Sequence, residues 1–481
     1  MKKLISAVLL LCMLFTSLIA CNKKEQSEET TENVKTKEPG YLDTLPSMDF
    51  DGQEFKILVS LQHESFYKQE EESGNTVDSA CFARNLNIEG RYNVDLVYTA
   101  IDGNASGQAA FQSMITNSIQ VDKQDAFSIV IGQNYYCLPL ISQGAYHNLR
   151  ESTVIDFDAE WSHEMINDAG TINNKLYGAS GAFVISQLTH ALALYYNKDI
   201  FVDYGFAEQY DLYQLVREGK WTYEIFYQMV TSFDNVNEEA EDAIYGFDTF
   251  SHAAIGLHVG FGEEDPVTMT EENEYTLDNY YNMHLEDIFS RLRELYNDHA
   301  GVASDADMER VTNNQPESRM THLLFCMNYI HGLVENPSFQ KSENYSLGVL
   351  PAPKYDEAQP EYYTRIMRND LYYIPRNVDF EAAALMIEAL NYETHRIVYP
   401  EYWGKVIELR SADTSEDQEM IQILSRTAYS SIANYFSYAL VNIDHQLAYE
   451  AMANASSMSG WWGTNQKLAS KKLEKLIELY E

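Results

Sequence analysis

Residue types that do chemistry are plentiful in this sequence, but few stand at catalytic spacing. His63-Glu64 and His163-Glu164 each set an imidazole beside a carboxylate. Neither has the second histidine, one helical turn away, that a zinc-protease helix needs. Gly178-Ala179-Ser180-Gly181 holds a serine among glycines but misses the spacing of a nucleophile elbow. No glycine-rich phosphate loop occurs. Asp and Glu total 73, so some pair will stand close by chance, and counting carboxylates does not separate a glycosidase from a binding protein. Beyond Cys21 the cysteines are Cys81, Cys137 and Cys326, an odd number without metal-ligand spacing. The expectation is a protein that is not an enzyme, with no cofactor and no metal.

Binding chemistry is easier to place. Phe55, Ile57 and Val59 alternate as a strand, a helix follows over about 78–89, and Val94, Leu96 and Tyr98 alternate again. Phe111, Met114, Ile115 and Ile119 mark a second helix, and Phe127–Ile131 reads as a strand covered on both faces. That order predicts a parallel sheet with crossover helices. Ligands of such sheets sit beyond the carboxyl ends of the strands. The first strand ends toward His63 and Glu64, the third in Gln133-Asn134-Tyr135-Tyr136. Amides fork hydrogen bonds to hydroxyls, and aromatic rings cover the apolar face of a sugar. Tyr135 and Tyr136 either stack on such a ligand or pack the helix that begins there. Trp161 stands in a loop where it can stack on ligand, whereas Trp221 reads as core. Trp461-Trp462, between Gly460 and Gly463, reads as a loop pair that rims a cleft or seats the last helix.

The elements that must position these groups recur in a second unit. It opens at Ala191–Tyr196, with helices over about 222–232 and 285–298 and strand-like runs at Ala243–Phe247 and His322–Met327. Ser251 and His252 follow the first of these runs, Asn328 and Tyr329 the second. Beyond 370 come Leu371–Ile374, a helix carrying Phe380, Ala384 and Ile387, and a closing helix over about 465–480. Val77, Cys81 and Ile88 share a helical face, which predicts that the cysteines are buried thiols.

The formal net charge of −40 repels nucleic acid and anionic lipid, and suits a solvated exterior. Met1-Lys2-Lys3 and the apolar run Leu4–Ala20 have the form of a signal peptide. Leu18-Ile19-Ala20-Cys21 resembles a bacterial lipobox, which implies cleavage after residue 20 and a lipid anchor on Cys21. From Asn22 to about Pro46 the chain is polar and reads as a flexible tether.

Several stretches resemble one family. Phe50-Asp51-Gly52-Gln53-Glu54-Phe55, Arg84-Asn85, Tyr92-Asn93-Val94, Asn173–Gly178, Leu194-Tyr195-Tyr196-Asn197-Lys198-Asp199, Tyr204-Gly205, Gly219-Lys220-Trp221-Thr222 and Gly348–Tyr355 follow the order found in the family-1 extracellular solute-binding proteins of ABC importers, which include the maltose-binding proteins. The resemblance implies an α/β, periplasmic-binding-protein-like fold: two lobes, a ligand cleft, and chain crossings near His190–Leu192, Tyr363–Asp370 and Ser425. The implied divisions are a signal peptide over 1–20, a tether over 21–47, one lobe from 48–189 and 369–425, and another from 190–368 and 426–481. His190 falls at a family position that often contacts ligand, though a hinge histidine fits as well. Ser251-His252 and Asn328-Tyr329 match pocket loops, with simple turns as the alternative. The implied function is that of a lipid-anchored monomer facing the outside, which captures a small solute, a sugar or oligosaccharide first among the candidates, for an ABC permease. A ligand-presenting sensor for a membrane kinase and a surface glycan-cleaving enzyme are the other readings.

Overall fold

The computed structural model describes residues 40–481 apart from 70, 72–73, 123–124, 234–241, 250–253, 263–264, 337, 340–341, 343, 368–369 and 412–413. Cys21 and its apolar leader, most of the expected tether, and Ser251 and His252 lie outside the described residues. The segment ending at Thr44 is a unit by itself, in which Tyr41–Asp43 makes one 3₁₀ turn; the body runs from Leu45 to Glu481.

Two four-stranded sheets organise the body. The first is built from β1 (Gln53–Ser60), β2 (Val94–Ile101) and β3 (Ile129–Gln133), joined by α1 (Thr76–Tyr92) and α2 (Gln108–Ser118). β1 pairs in parallel with both β2 and β3, as the strand–helix–strand order predicts. The Asn75 side chain caps α1 by accepting from Val77 N–H at 2.9 Å, and Asn93 ends it in the left-handed region at φ 48°. Ile57, Leu58 and Val59 are all fully buried, since helices cover both faces of the sheet. Gly132 lets α2 approach β3: a Cβ there would stand 2.8 Å from the Phe111 ring.

The second sheet holds β4 (Leu192–Asn197), β5 (Tyr245–Thr249), β6 (Leu323–Tyr329) and β7 (Leu347–Leu350) in the order β5-β6-β4-β7. It is mixed: β5 and β6 are parallel, while β4 is antiparallel to both its neighbours. Between β4 and β5 lies the amphipathic α3 (Tyr223–Thr231), and α4 (Met283–Asn297) precedes β6, burying Ile288, Leu292 and Leu295 as the spacing predicts. Trp221 is fully buried and donates its indole N–H to the Pro351 carbonyl at 3.1 Å.

The chain then returns. β8 (Thr364–Arg365) leads to β9 (Asp370–Tyr373), which closes the first sheet as an antiparallel edge on β3, giving the order β9-β3-β1-β2. After α5 (Phe380–Glu393) the helix continues in wider π-type turns through Thr394–Val398 and Pro400–Ser411. It touches α1 on one side and α6 (Ser415–Arg426) on the other. α6 packs on β7 of the second sheet: its buried Asp417 accepts from Lys198 Nζ at 2.7 Å and from Val349 N–H at 3.2 Å. Residues 415–425 thus lie against the second sheet.

β10 (Ala428–Tyr429) pairs in parallel with β8, and Ala191 bridges to Ile366. Three segments distant in sequence therefore run side by side. After them, α7 (Ile443–Met452) packs on α4, and α8 (Met458–Glu478) closes the chain. Trp461 and Trp462 lie inside α8, not in a loop: the helix begins earlier than its apolar stripe suggests because Ser457 caps it, and the buried Trp462 seats it on Tyr280 at 4.9 Å. Cys81, Cys137 and Cys326 are buried free thiols. Among the described residues no helix is long and apolar enough to cross a membrane.

Candidate ligand-binding site

The carboxyl ends of β1 and β3 and the amino end of antiparallel β9 share one edge of the first sheet, with Asp370 opposite Gln133. The side chains expected there separate into three groups.

The first lines a cavity of about 190 Å³. Gln133, Asn134, Tyr135 and Tyr136 form one wall with Ala105 and Gln108, and Met367, Asn434, Ser437, Asn442 and His445 form the other. Tyr135 is 42% exposed, while Tyr136 is 4% exposed and sits 6.5 Å from the Phe111 ring, centroid to centroid. Asn134 is buried and donates to the Tyr435 carbonyl at 2.7 Å, which ties the β3 loop to the opposite wall. Beneath that wall the buried Arg365 pairs with Asp444, and Asn434 donates to the same carboxylate at 3.4 Å. The guanidinium is thus committed inside the protein. Apart from Ala105 and Met367 the lining is amide, hydroxyl and ring, suited to a ligand rich in hydroxyls.

A second group meets beside this cavity. His63 Nε2 lies 3.4 Å from Asp370 Oδ2, and its ring meets that of His190 edge-on at 5.6 Å. His190 also meets Tyr329 at 5.8 Å and His331 at 5.3 Å, and the last two rings stack at 5.1 Å. His190 Nδ1 stands 2.7 Å from the Ser186 carbonyl, and His331 Nδ1 stands 3.0 Å from the Thr189 carbonyl. A carbonyl only accepts, so both rings donate from Nδ1, and in the neutral ring the lone pair is then on Nε2. Asp370 is 2% exposed; its Oδ2 accepts from Ser186 Oγ at 2.6 Å, and its Oδ1 is buried without a hydrogen-bond partner among the described residues. The amide nitrogen of buried Asn328 likewise lacks a partner. Nearby, burial pushes the Tyr67 hydroxyl well above its ordinary range, and the Asp370 charge adds to the shift.

The third group does not join the cavity. Glu64 sits in the short turn Leu61–Phe66, where its backbone carbonyl accepts from Tyr67 and Lys68. Trp161 donates to Glu388 Oε1 at 2.9 Å, packs on Tyr392 at 5.1 Å, and lines a separate cavity of about 260 Å³ with His163, His395, Ile366 and Ala428. Burial, with neighbouring His395, pushes His163 down to about 4.

Sequence reasoning missed Asp370, His331, Asn434 and His445. Asp370 had a signal, since it opens the apolar run Leu371–Ile374. The others lie on segments whose return to this edge depends on the connecting strands.

Neither a family model nor a curated protein matches the sequence. Solved structures do match in shape. The galacto-N-biose/lacto-N-biose I-binding protein of the ABC transporter from Bifidobacterium longum, in complex with lacto-N-biose, superposes with a TM-score of 0.56 at 11% identity, covering 89% of this chain and 98% of that one. The maltose-binding periplasmic protein from Listeria monocytogenes, in complex with maltose, gives 0.54 at 11% identity, over 89% and 97%. UgpB from Mycobacterium tuberculosis, in complex with glycerophosphocholine, gives 0.54 at 13% identity, over 88% and 99%. The fold is that of the ABC-transporter solute-binding proteins.

Proposed function

We propose that the protein is an extracellular solute-binding receptor, tethered through a lipid on Cys21, that captures a sugar, polyol or short oligosaccharide and hands it to an ABC permease. The observation that carries the reading is the cavity walled by Gln133–Tyr136 and by Asn434, Ser437 and Asn442, at the strand-end edge of a two-lobed solute-binding fold. The relatives in shape are in complex with maltose and lacto-N-biose, which supports a carbohydrate. Arg365 is engaged with Asp444, so a cationic fork for an anionic ligand is not on offer at this wall. Capture needs no covalent step: a solute with higher affinity for the closed lobes shifts the population toward closure. The lobes are inferred to be interleaved, one from about 48–189 with the strand and helix after 369, the other from 190 to about 368 with most of the residues after 414.

The test is calorimetric titration of purified protein with a panel of mono-, di- and oligosaccharides, polyols, peptides and anions. Saturable binding of a neutral sugar or polyol supports the reading; tight binding only to peptides or anions overturns it. Cys21→Ser is expected to abolish metabolic labelling with palmitate and release the protein from the membrane fraction. Undiminished labelling would remove the anchor from the proposal.

A further inference from the structure

The spacing of His, Cys and acidic residues along the sequence predicts no metal site, yet three such residues from distant segments converge at the sheet edge. We propose that His63, His190 and Asp370 bind one divalent first-row transition metal ion, of the zinc class, between the first sheet and the connecting segment.

Four observations support this. First, one ligand atom from each residue lies within 4.8 Å of those of the other two. Ligand atoms about 2.1 Å from a tetrahedral ion stand about 3.4 Å apart. His63 Nε2 and Asp370 Oδ2 already have that separation, at 3.4 Å, so only the third ligand has to close in. Second, Asp370 is a buried carboxylate with one oxygen unpartnered. A charge in that position is costly unless paired, and the ion pair described for Asp370 is with a histidine, which is cationic only when protonated. A dication held beside Oδ2 would neutralise this buried carboxylate and leave both imidazoles neutral. Third, the outer contacts are those a metal site uses. His190 donates from Nδ1 to the Ser186 carbonyl at 2.7 Å, which fixes the tautomer with Nε2 as the lone-pair atom, and Ser186 Oγ holds Asp370 Oδ2 at 2.6 Å. One serine thus orients two of the three ligands. Fourth, two imidazoles and one carboxylate suit zinc and its neighbours rather than calcium or magnesium, which favour oxygen ligands throughout.

Three protein ligands leave a coordination position open. Gln133, paired with Asp370 across β3 and β9, and Met367, whose N–H bonds the His190 carbonyl at 3.2 Å, both line the cavity. The open position therefore adjoins the solute cavity, where water or a solute hydroxyl can fill it. Because His63 lies in the turn after β1, Asp370 opens β9 and His190 precedes β4, the ion also ties the edge of the first sheet to the segment that leads into the second. The proposal does not depend on which solute is bound.

The experiment uses the full-length protein, stripped with a chelator and without sugar. Zinc is titrated by calorimetry and by competition with a chromophoric chelator, and cobalt(II) serves as a spectroscopic probe. We expect one equivalent per chain, cobalt d–d bands as intense as those of a four-coordinate N/O site, and a rise in melting temperature with added zinc. His63→Ala and Asp370→Asn should each weaken binding by at least about tenfold and remove the cobalt bands. The exposed-site variant His284→Gln should bind as the wild type does. Circular dichroism of each metal-free variant separates loss of ligand from loss of fold, and His63→Gln, on a part-exposed turn, provides a second variant if Asp370→Asn fails to fold. Absence of a stoichiometric site, or binding unchanged by both His63→Ala and His63→Gln, overturns the proposal. Repeating the sugar panel on metal-free protein shows separately whether solute capture stands or falls.

Discussion

Tyr135 and Tyr136 are neighbours in sequence, yet their environments assign them opposite roles, which makes them a sharp test of the site. Tyr136 is 4% exposed and packs on Phe111, whereas Tyr135 is 42% exposed at the cavity wall and touches Tyr136 edge-on at 6.3 Å. Truncating a buried aromatic to alanine costs about 3–5 kcal/mol through lost burial and the cavity left behind. A substitution on the surface usually changes stability by no more than about 0.5 kcal/mol. An aromatic that stacks on ligand carries about 1–3 kcal/mol of binding, a loss of roughly 5- to 150-fold in affinity. So Tyr136→Ala should lower apo stability by about 3–5 kcal/mol and affect solute affinity little in the fraction that folds. Tyr135→Ala should leave stability nearly unchanged and weaken solute binding by at least about fivefold. Urea unfolding is the better stability assay. At about 2.1 cal/mol/K of unfolding entropy per residue, 1 kcal/mol shifts the melting temperature of a chain this long by only about 1 °C. Calorimetry with the best sugar of the panel supplies the affinity. If Tyr135→Ala destabilises the apo protein by more than about 2 kcal/mol with affinity intact, Tyr135 belongs to the core and the cavity is not the solute site.

Three further outcomes follow from buried groups. Asp444→Ala leaves Arg365 buried without its partner and should cost about 3–5 kcal/mol in urea unfolding, whereas the apolar pair Arg365→Met with Asp444→Leu should cost less than the single change; equal losses would mean the pair is not coupled. His163 titrates at an ordinary value of 6.5 when unfolded but only at about 4 in the fold, so between those values the unfolded chain binds a proton that the folded one does not. Stability must then fall with falling pH across that window at about 1.4 kcal/mol per unit, and His163→Gln should flatten the slope by up to one proton; identical slopes in the two proteins would refute the assignment. Burial raises the thiols of Cys81, Cys137 and Cys326, the last to about 12, so mass spectrometry after treatment with a disulfide reagent should find these three unmodified until denaturant is added.

Much of this architecture was legible in local sequence. The alternation at Phe55–Val59 and Val94–Tyr98, the apolar run ending at Ile131 and the stripe on α4 each produced the expected element, because burial on one or both faces writes a period into the chain. The strand-end rule placed His63 and Gln133–Tyr136 at the same edge. What local pattern cannot encode is return. Asp370 meets His63 only because β9 comes back antiparallel to β3, and Asn434 and His445 reach the cavity wall only after the chain has passed β8 and β10. Trp161, expected from its loop position to stack on ligand, lines a separate cavity and donates its indole N–H to Glu388, a partner that lies far along the sequence. The cysteine and histidine spacings suggested no metal for the same reason, since the three residues that converge come from three separated segments.

The late arrival of β9 also bears on how this protein is made. During synthesis β1, β2 and β3 emerge early, but the strand that covers the β3 edge begins at Asp370. At roughly 5–20 residues per second, the ribosome leaves that edge open for on the order of ten to fifty seconds. The uncovered strand is Ile129-Val130-Ile131-Gly132-Gln133, apolar and uncharged, the kind of edge that recruits strands from other chains. A nascent chain with such a gap cannot complete its first sheet before its last quarter appears. Long-range pairing of this kind is slow to form, so the first sheet stays incomplete until roughly three quarters of the chain has been translated.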